Sequence, residues 1–152
     1  MQTVQVAQWL LKVDAEKTRE FYKNVKSEEV CDCIYCLNFM EASKSLDPAV
    51  LQLFRQLGIN PEKPSHLSDI PISEDKMIRY YIGNYHFVGT VIDGQMCTLS
   101  DWNETNTVQM HPFKLGISNK TKFGPENFPK PMLQLDFEAD IPWLLAEEPE
   151  EI

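Results

Sequence analysis

A chain of 152 residues with 43% apolar and 24% charged residues is long enough to bury its own core without disulfide staples. Its formal net charge of −9 opposes attraction to nucleic acid or an anionic membrane surface, which rests on clustered Lys and Arg neutralising phosphates. No run approaches the roughly 20 apolar residues needed to span a bilayer.

The N-terminal segment Met1–Leu11 lacks the basic start and small-residue cleavage site of a secretory signal. Further on, Val6, Trp9, Leu10 and Val13 follow the i, i+3, i+4, i+7 spacing of one helical face, and Thr18, Phe21, Tyr22 and Val25 repeat it. Asp14 stands between the two sets, where it could cap a second helix, and the pattern fits one bent helix as well as two. After the polar residues 26–29 comes Cys31-Asp32-Cys33-Ile34-Tyr35-Cys36-Leu37-Asn38-Phe39, leading into a helix predicted from about Cys33 to Ser45. Asp47-Pro48 is a start signal, Val50, Leu51, Phe54 and Leu57 supply an apolar face, and Gly58 is a stop. These place a helix over 48–57. Residues 59–76, with Pro61, Pro64 and Pro71, read as a connector.

The second half reads as β. Ile78–Ile82 and Tyr85–Ile92 flank Gly83-Asn84, and Asp93-Gly94 leads into Gln95–Leu99, which predicts two consecutive hairpins. Gly89 inside the middle strand suggests a bulge or the close approach of another backbone. Ser100–Asn106 is a polar loop. Thr107–Ser118 reads as a strand bent at Pro112, with Phe113, Leu115 and Ile117 on one face. A loop over Asn119–Pro131 precedes a strand in which Leu133, Leu135 and Phe137 alternate with Gln134, Asp136 and Glu138. Ile141–Leu145 is expected to pack back on the body.

Helices before strands predict an α+β domain over 1–145. N-terminal helices would cover one face of an antiparallel, meander-like sheet of four to six strands, and an acidic, disordered tail would follow over 146–152.

Without an export signal a cytoplasmic, reducing compartment is expected, where cysteines serve as free thiols, metal ligands or redox groups. The sequons at Asn103 and Asn119 carry no weight there. Cys31, Cys33 and Cys36 have a C-x-C-x-x-C spacing that lets three thiolates converge on one zinc ion, with Cys97 or a histidine as fourth ligand. The competing reading is packing: Cys33, Cys36, Leu37 and Met40 form one helical stripe, and cysteine is among the most buried residue types. If Asp93-Gly94 is a two-residue turn, Cys97 faces Thr90, and His86 lies roughly 13 Å further along the strand. At most one of the two would then join the cluster. His86 reads as a half-buried sheet residue, and His66 and His111 as loop residues. A redox pair at Cys33 and Cys36 is a further reading, opposed by the absence of a βαβ pattern and by the charge of Asp32. No G-x-S-x-G, Walker A, H-E-x-x-H or G-x-G-x-x-G is present, and the acidic residues are spread over solvated faces. The aromatic-rich tip expected around Tyr81, Tyr85 and His86 is a candidate contact surface for a protein partner.

Trp9-Leu10-Leu11, Glu20-Phe21-Tyr22, the C-x-C-x-Y-C-x-N-F segment at Cys31–Phe39 and Leu57-Gly58-Ile59-Asn60-Pro61 together resemble an uncharacterised family of small bacterial proteins. Tyr85–Gly89, Gln134–Glu138 and Pro142-Trp143 extend the similarity over nearly the whole chain. The resemblance implies a bacterial cytosolic protein of one domain, and no activity. With no catalytic constellation, the expected function is a non-catalytic binding module for a protein partner. The alternative is a zinc protein built on the cysteine cluster.

Overall fold

The computed structural model describes residues 1–26, 31–70, 77–98, 100–120 and 124–149. In chain order these form β1 (Gln2–Val6), β2 (Trp9–Val13), α1 (Ala15–Lys23), α2 (Ile34–Ser43), α3 (Pro48–Leu57), β3 (His66–Ile70), β4 (Ile78–Asp93), β5 (Thr107–Met110), β6 (Phe113–Ser118) and β7 (Met132–Pro142). The class is α+β, as expected. All pairings are antiparallel, in the order β1-β2-β4-β7-β6-β5, with β3 on β4 beside that path. The sheet curls without closing. Its two ends approach where Gln8 Nε2, in the β1–β2 turn, donates to the Thr107 carbonyl at 2.8 Å.

The inner face is aromatic. Tyr81, Tyr85 and Phe87 on β4, Leu133, Leu135 and Phe137 on β7, and Phe113, Leu115 and Ile117 on β6 alternate inward, each 4% exposed or less. Two helices cover them. Phe39 of α2 stacks on Phe137 with ring centroids 5.5 Å apart, and Phe54 of α3 meets Tyr85 edge-on at 5.1 Å. α3 starts at Pro48 and ends at Gly58, whose φ of 80° is left-handed. Asp47 sits at its N-cap but makes no side-chain bond there. Asn38, fully buried, fastens α2 to the C-terminal segment: its Nδ2 donates to the Pro142 carbonyl at 3.2 Å and its Oδ1 accepts from Leu144 N at 2.7 Å. Ile141 and Trp143 thereby pack on the body, 2% and 6% exposed. Trp143 Nε1 donates to the Glu147 carbonyl, while residues 150–152 of the acidic tail lie outside the described residues.

The third helix repairs an edge. Beside β4, β3 pairs with residues 80–84 and β2 with residues 89–93, so among the described residues no strand pairs with positions 85–88 there. α1 fills the gap. Tyr22 Oη donates to the His86 carbonyl and accepts from His86 N, at 2.9 and 3.1 Å. Thr18 Oγ1 accepts from Val88 N at 2.9 Å, and Asp14 N donates to the Val88 carbonyl at 3.0 Å. Buried backbone groups must find partners, and here side chains of a helix supply them. Asp14 also caps α1 by accepting from Lys17 N, as the sequence predicts.

Several local expectations give way. Residues 6–13 are not helical: Trp9, Leu11 and Val13 point inward at a period of two, and Ala7-Gln8 turns β1 into β2. Val6, Trp9 and Val13 satisfy both periods, so spacing alone does not separate them. Gly83-Asn84 is no turn but the middle of a 16-residue strand. The glycine is needed because Phe137 and the His66 carbonyl approach it, within 2.7 and 2.4 Å of where a Cβ would stand. Gln95–Thr98 is not a strand (Leu99 lies outside the described residues), and Cys97 N donates instead to the Ile117 carbonyl at 2.9 Å. The connector at 59–76 contributes β3, and residues 71–76 lie outside the described residues. Gly89 does meet another backbone, the Lys12 carbonyl 2.7 Å from its would-be Cβ. Thr107–Ser118 is a hairpin with Pro112 in the turn between β5 and β6. The additional hairpin and β3 bring the sheet to seven strands.

Candidate metal centre

Cys33 is the N-cap of α2. Its backbone is extended (φ −65°, ψ 159°), its carbonyl accepts the first helical bond from Leu37 N, and its Sγ accepts from Cys36 N at 3.4 Å. A sulfur at this point faces the free N–H groups of the first helical turn. One helical turn brings Cys36 alongside, and the extended segment before the cap returns Cys31 to the same place. The three Sγ atoms lie within 4.8 Å of one another. Tetrahedral zinc with Zn–S bonds of about 2.3 Å requires thiolates roughly 3.8 Å apart. The observed spread is within about 1 Å of that requirement. These residues are therefore close enough to hold a metal ion.

Burial separates them from the core. Cys31 and Cys33 are exposed and Cys36 is half-buried. The stripe expected to hide them does not: Leu37 is 41% exposed, while Asn38 and Phe39 are the buried residues of this turn. The core reading of the cluster is thus overturned, because α2 presents its Phe39 face to the sheet and its cysteines to the side.

The thiols share hydrogen bonds. Cys31 accepts from the Cys33 backbone N–H and from the Cys36 and Cys33 thiols, which holds its pKa below the ordinary thiol value. Asp32 opposes this, but as the smallest of the causes. Burial, reinforced by the bond it donates to Cys31, pushes Cys36 up. One sulfur is prepared to be a thiolate and another retains the proton.

Cys97 is not a fourth ligand. Its Sγ lies over Gly116, 2.8 Å from that residue's would-be Cβ, and approaches Asp136 Oδ2 at 3.8 Å. Gly116 and Asp136 point to the outer face of the sheet, away from Phe137 and α2, so the sheet itself separates Cys97 from the cluster. Burial pushes its thiol up to about 12. Tyr81, Tyr85 and His86, expected as a contact surface, are all 0% exposed. The first two face the core, and His86 lies on the outer face under Phe128, ring centroids 6.1 Å apart.

Cys31 and Cys36 line a cavity of about 650 Å³. Ser65, in the segment before β3, lines the same cavity and is exposed. Its Oγ lies 2.7 Å from His86 Nδ1, His86 Nε2 lies 2.9 Å from Gln134 Oε1, and Gln134 Nε2 donates to Asp136 Oδ1 at 2.6 Å. Burial lowers the His86 pKa and raises that of Asp136. This chain of side chains is not legible in sequence: Gln134 and Asp136 read as a wet strand face, and Ser65 as a connector residue. The pairing of His86 with Gln134, 48 residues apart, exists only in the β4–β7 register.

Among the described residues, no helix is long and apolar enough to cross a membrane. Comparison with models of known protein families, with curated proteins and with solved structures finds no match to this chain.

Proposed function

We propose that this chain is a zinc-binding protein in which Cys31, Cys33 and Cys36 supply three thiolates to one ion. The observation that carries the reading is the approach of all three Sγ atoms to within 4.8 Å on a surface where two of the residues are exposed. Exposed thiols brought together at a helix start need a reason that core packing does not provide. Thiolates are soft ligands that favour Zn(II), Cu(I) and iron–sulfur clusters over hard cations. Among the described residues the group has three members. Cys31 and Cys36 also line a cavity, so an exchangeable fourth ligand would have room beside the ion.

Elemental analysis of protein purified without added metal tests the reading. The expected result is close to one zinc per chain, lost in the triple variant Cys31→Ser, Cys33→Ser, Cys36→Ser. Zinc absent from the wild type and not taken up on titration returns these thiols to a role without metal. Replacement by Co(II) gives a second readout, since thiolate charge-transfer bands appear only when sulfur is bound.

A further inference from the structure

We infer that Ser65 and His86 form a nucleophile–base pair that opens on this cavity and hydrolyses carboxylic esters. Four side chains in line determine where the protons sit. The Asp136 carboxylate only accepts, so the Gln134 amide nitrogen faces it and the amide oxygen faces His86. That oxygen only accepts, so His86 carries its proton on Nε2. Nδ1 is left as a bare lone pair, and the Ser65 hydroxyl at 2.7 Å donates to it. The hydroxyl of an exposed residue is thus paired with a fully buried imidazole whose orientation a third group sets, the arrangement of an activated serine nucleophile. Burial keeps the ring neutral near pH 7, the form that accepts a proton.

A purely structural histidine would be satisfied by the same bonds. What sets this one apart is the position of Ser65 on the wall of a cavity of about 650 Å³, large enough for a small organic substrate. The walls dictate the class. Phe21 and Leu67 offer an apolar side for the acyl group, and Lys63 a cation on the same lining. The step balances with water alone. Ser65 Oγ bonds to the carbonyl carbon as its proton passes to His86 Nδ1. The tetrahedral adduct collapses, and the leaving alkoxide takes that proton as the ester C–O bond breaks. Water then gives a proton to Nδ1 and attacks the acyl-serine. Collapse frees the acid and returns the proton to Ser65. No thiol takes part, so this inference stands apart from the zinc reading.

An aryl fluorophosphonate, which bonds covalently to activated serines, is the probe, with peptide mass spectrometry to locate it. Label on Ser65 is expected in the wild type and in the triple Cys→Ser variant, and none in Ser65→Ala. His86→Gln should slow labelling by about 100-fold or more, the usual span for losing a general base. Wild-type protein that carries no label on Ser65 overturns the inference, as does undiminished labelling in a folded His86→Gln. Should that variant fail to fold, long-range ¹H–¹⁵N NMR on the wild type decides. A proton on His86 Nε2 supports the pair. A proton on Nδ1 near pH 7 overturns it, because Ser65 would then be the acceptor. In Gln134→Leu, whose ring has lost its Nε2 acceptor, the Nε2–H preference should weaken, which marks Gln134 as the positioning residue.

Discussion

Ala7 turns β1 into β2 with φ of 50°, a left-handed conformation that costs an L-residue about 1–2 kcal/mol. Glycine adopts it freely but loses more entropy on folding. Ala7→Gly should therefore stabilise the protein by about 0.5–1 kcal/mol, read as a rise in the urea midpoint without a change in slope. Cys97 illustrates the opposite circumstance, a residue whose chemistry burial silences. With its pKa near 12 and 2% exposure, it should resist iodoacetamide at neutral pH until the protein unfolds, whereas exposed Cys31 and Cys33 react in the native state once a chelator has stripped any metal. Peptide mapping after timed alkylation separates them. Equal rates for Cys97 and Cys31 would contradict the burial described here.

At the scale of elements, α1 acts as a partner for a strand edge. Thr18→Val leaves the Val88 N–H without its acceptor, and such an orphaned buried donor costs about 1–3 kcal/mol. The matching local readout is faster hydrogen exchange at Val88, with the β4–β7 amides unchanged apart from the global loss. Elsewhere along β4, Arg79 and Asp69 pair through two bonds of 3.1 and 2.7 Å while 7% and 9% exposed, and the guanidinium lies 5.2 Å from the Tyr35 ring centroid. Removing one member strands a buried charge. Asp69→Ala should cost about 3–5 kcal/mol, and the double change Asp69→Leu, Arg79→Met considerably less. Equal losses from the single and double variants would mean that the packing, not the charge pair, matters at this point. The helix α3 shows why some elements are legible locally. Its proline start, apolar face and glycine stop all lie within its own dozen residues. β4 does not work that way, because Gly83-Asn84 resembles a turn until Phe137 is seen occupying the space a side chain would take.

Over the whole molecule, buried His86 and half-buried Asp136 on the outer sheet face give stability a pH dependence. The His86 pKa is lowered, so on acidification through about pH 6.5 the unfolded chain takes a proton that the native ring refuses. Stability should fall there, until the folded pKa is reached. The Asp136 pKa is raised by burial, so in the range from its folded value down to about 3.9 the native state takes up the proton first and gains stability. The two effects oppose each other. Urea midpoints measured against pH should decline below neutrality in the wild type, decline more steeply in Asp136→Asn, and flatten in His86→Gln. The curl of the sheet is the other property of the whole. It brings the β1–β2 turn against β5 and allows two helices to cover one continuous aromatic core.

By itself, the sequence determined what depends on near neighbours: α1 with its Asp14 cap, α2 beginning at Cys33, α3, the inward alternation of β6 and β7, and the proximity of three cysteines within one turn. Those signals act over a few residues, and local backbone preference suffices to read them. Only the tertiary structure decided which side of α2 is dry, and with it that Cys31 and Cys33 lie in water rather than in the core. It likewise decided the strand identity of residues 6–13, the burial of Tyr81 and Tyr85, and the alignment of Ser65 with His86, Gln134 and Asp136. Each of these depends on what another segment presents across a sheet or an edge. Hydrophobic spacing records that a residue is buried somewhere, but the partner that buries it is chosen by the register of strands far apart in the chain.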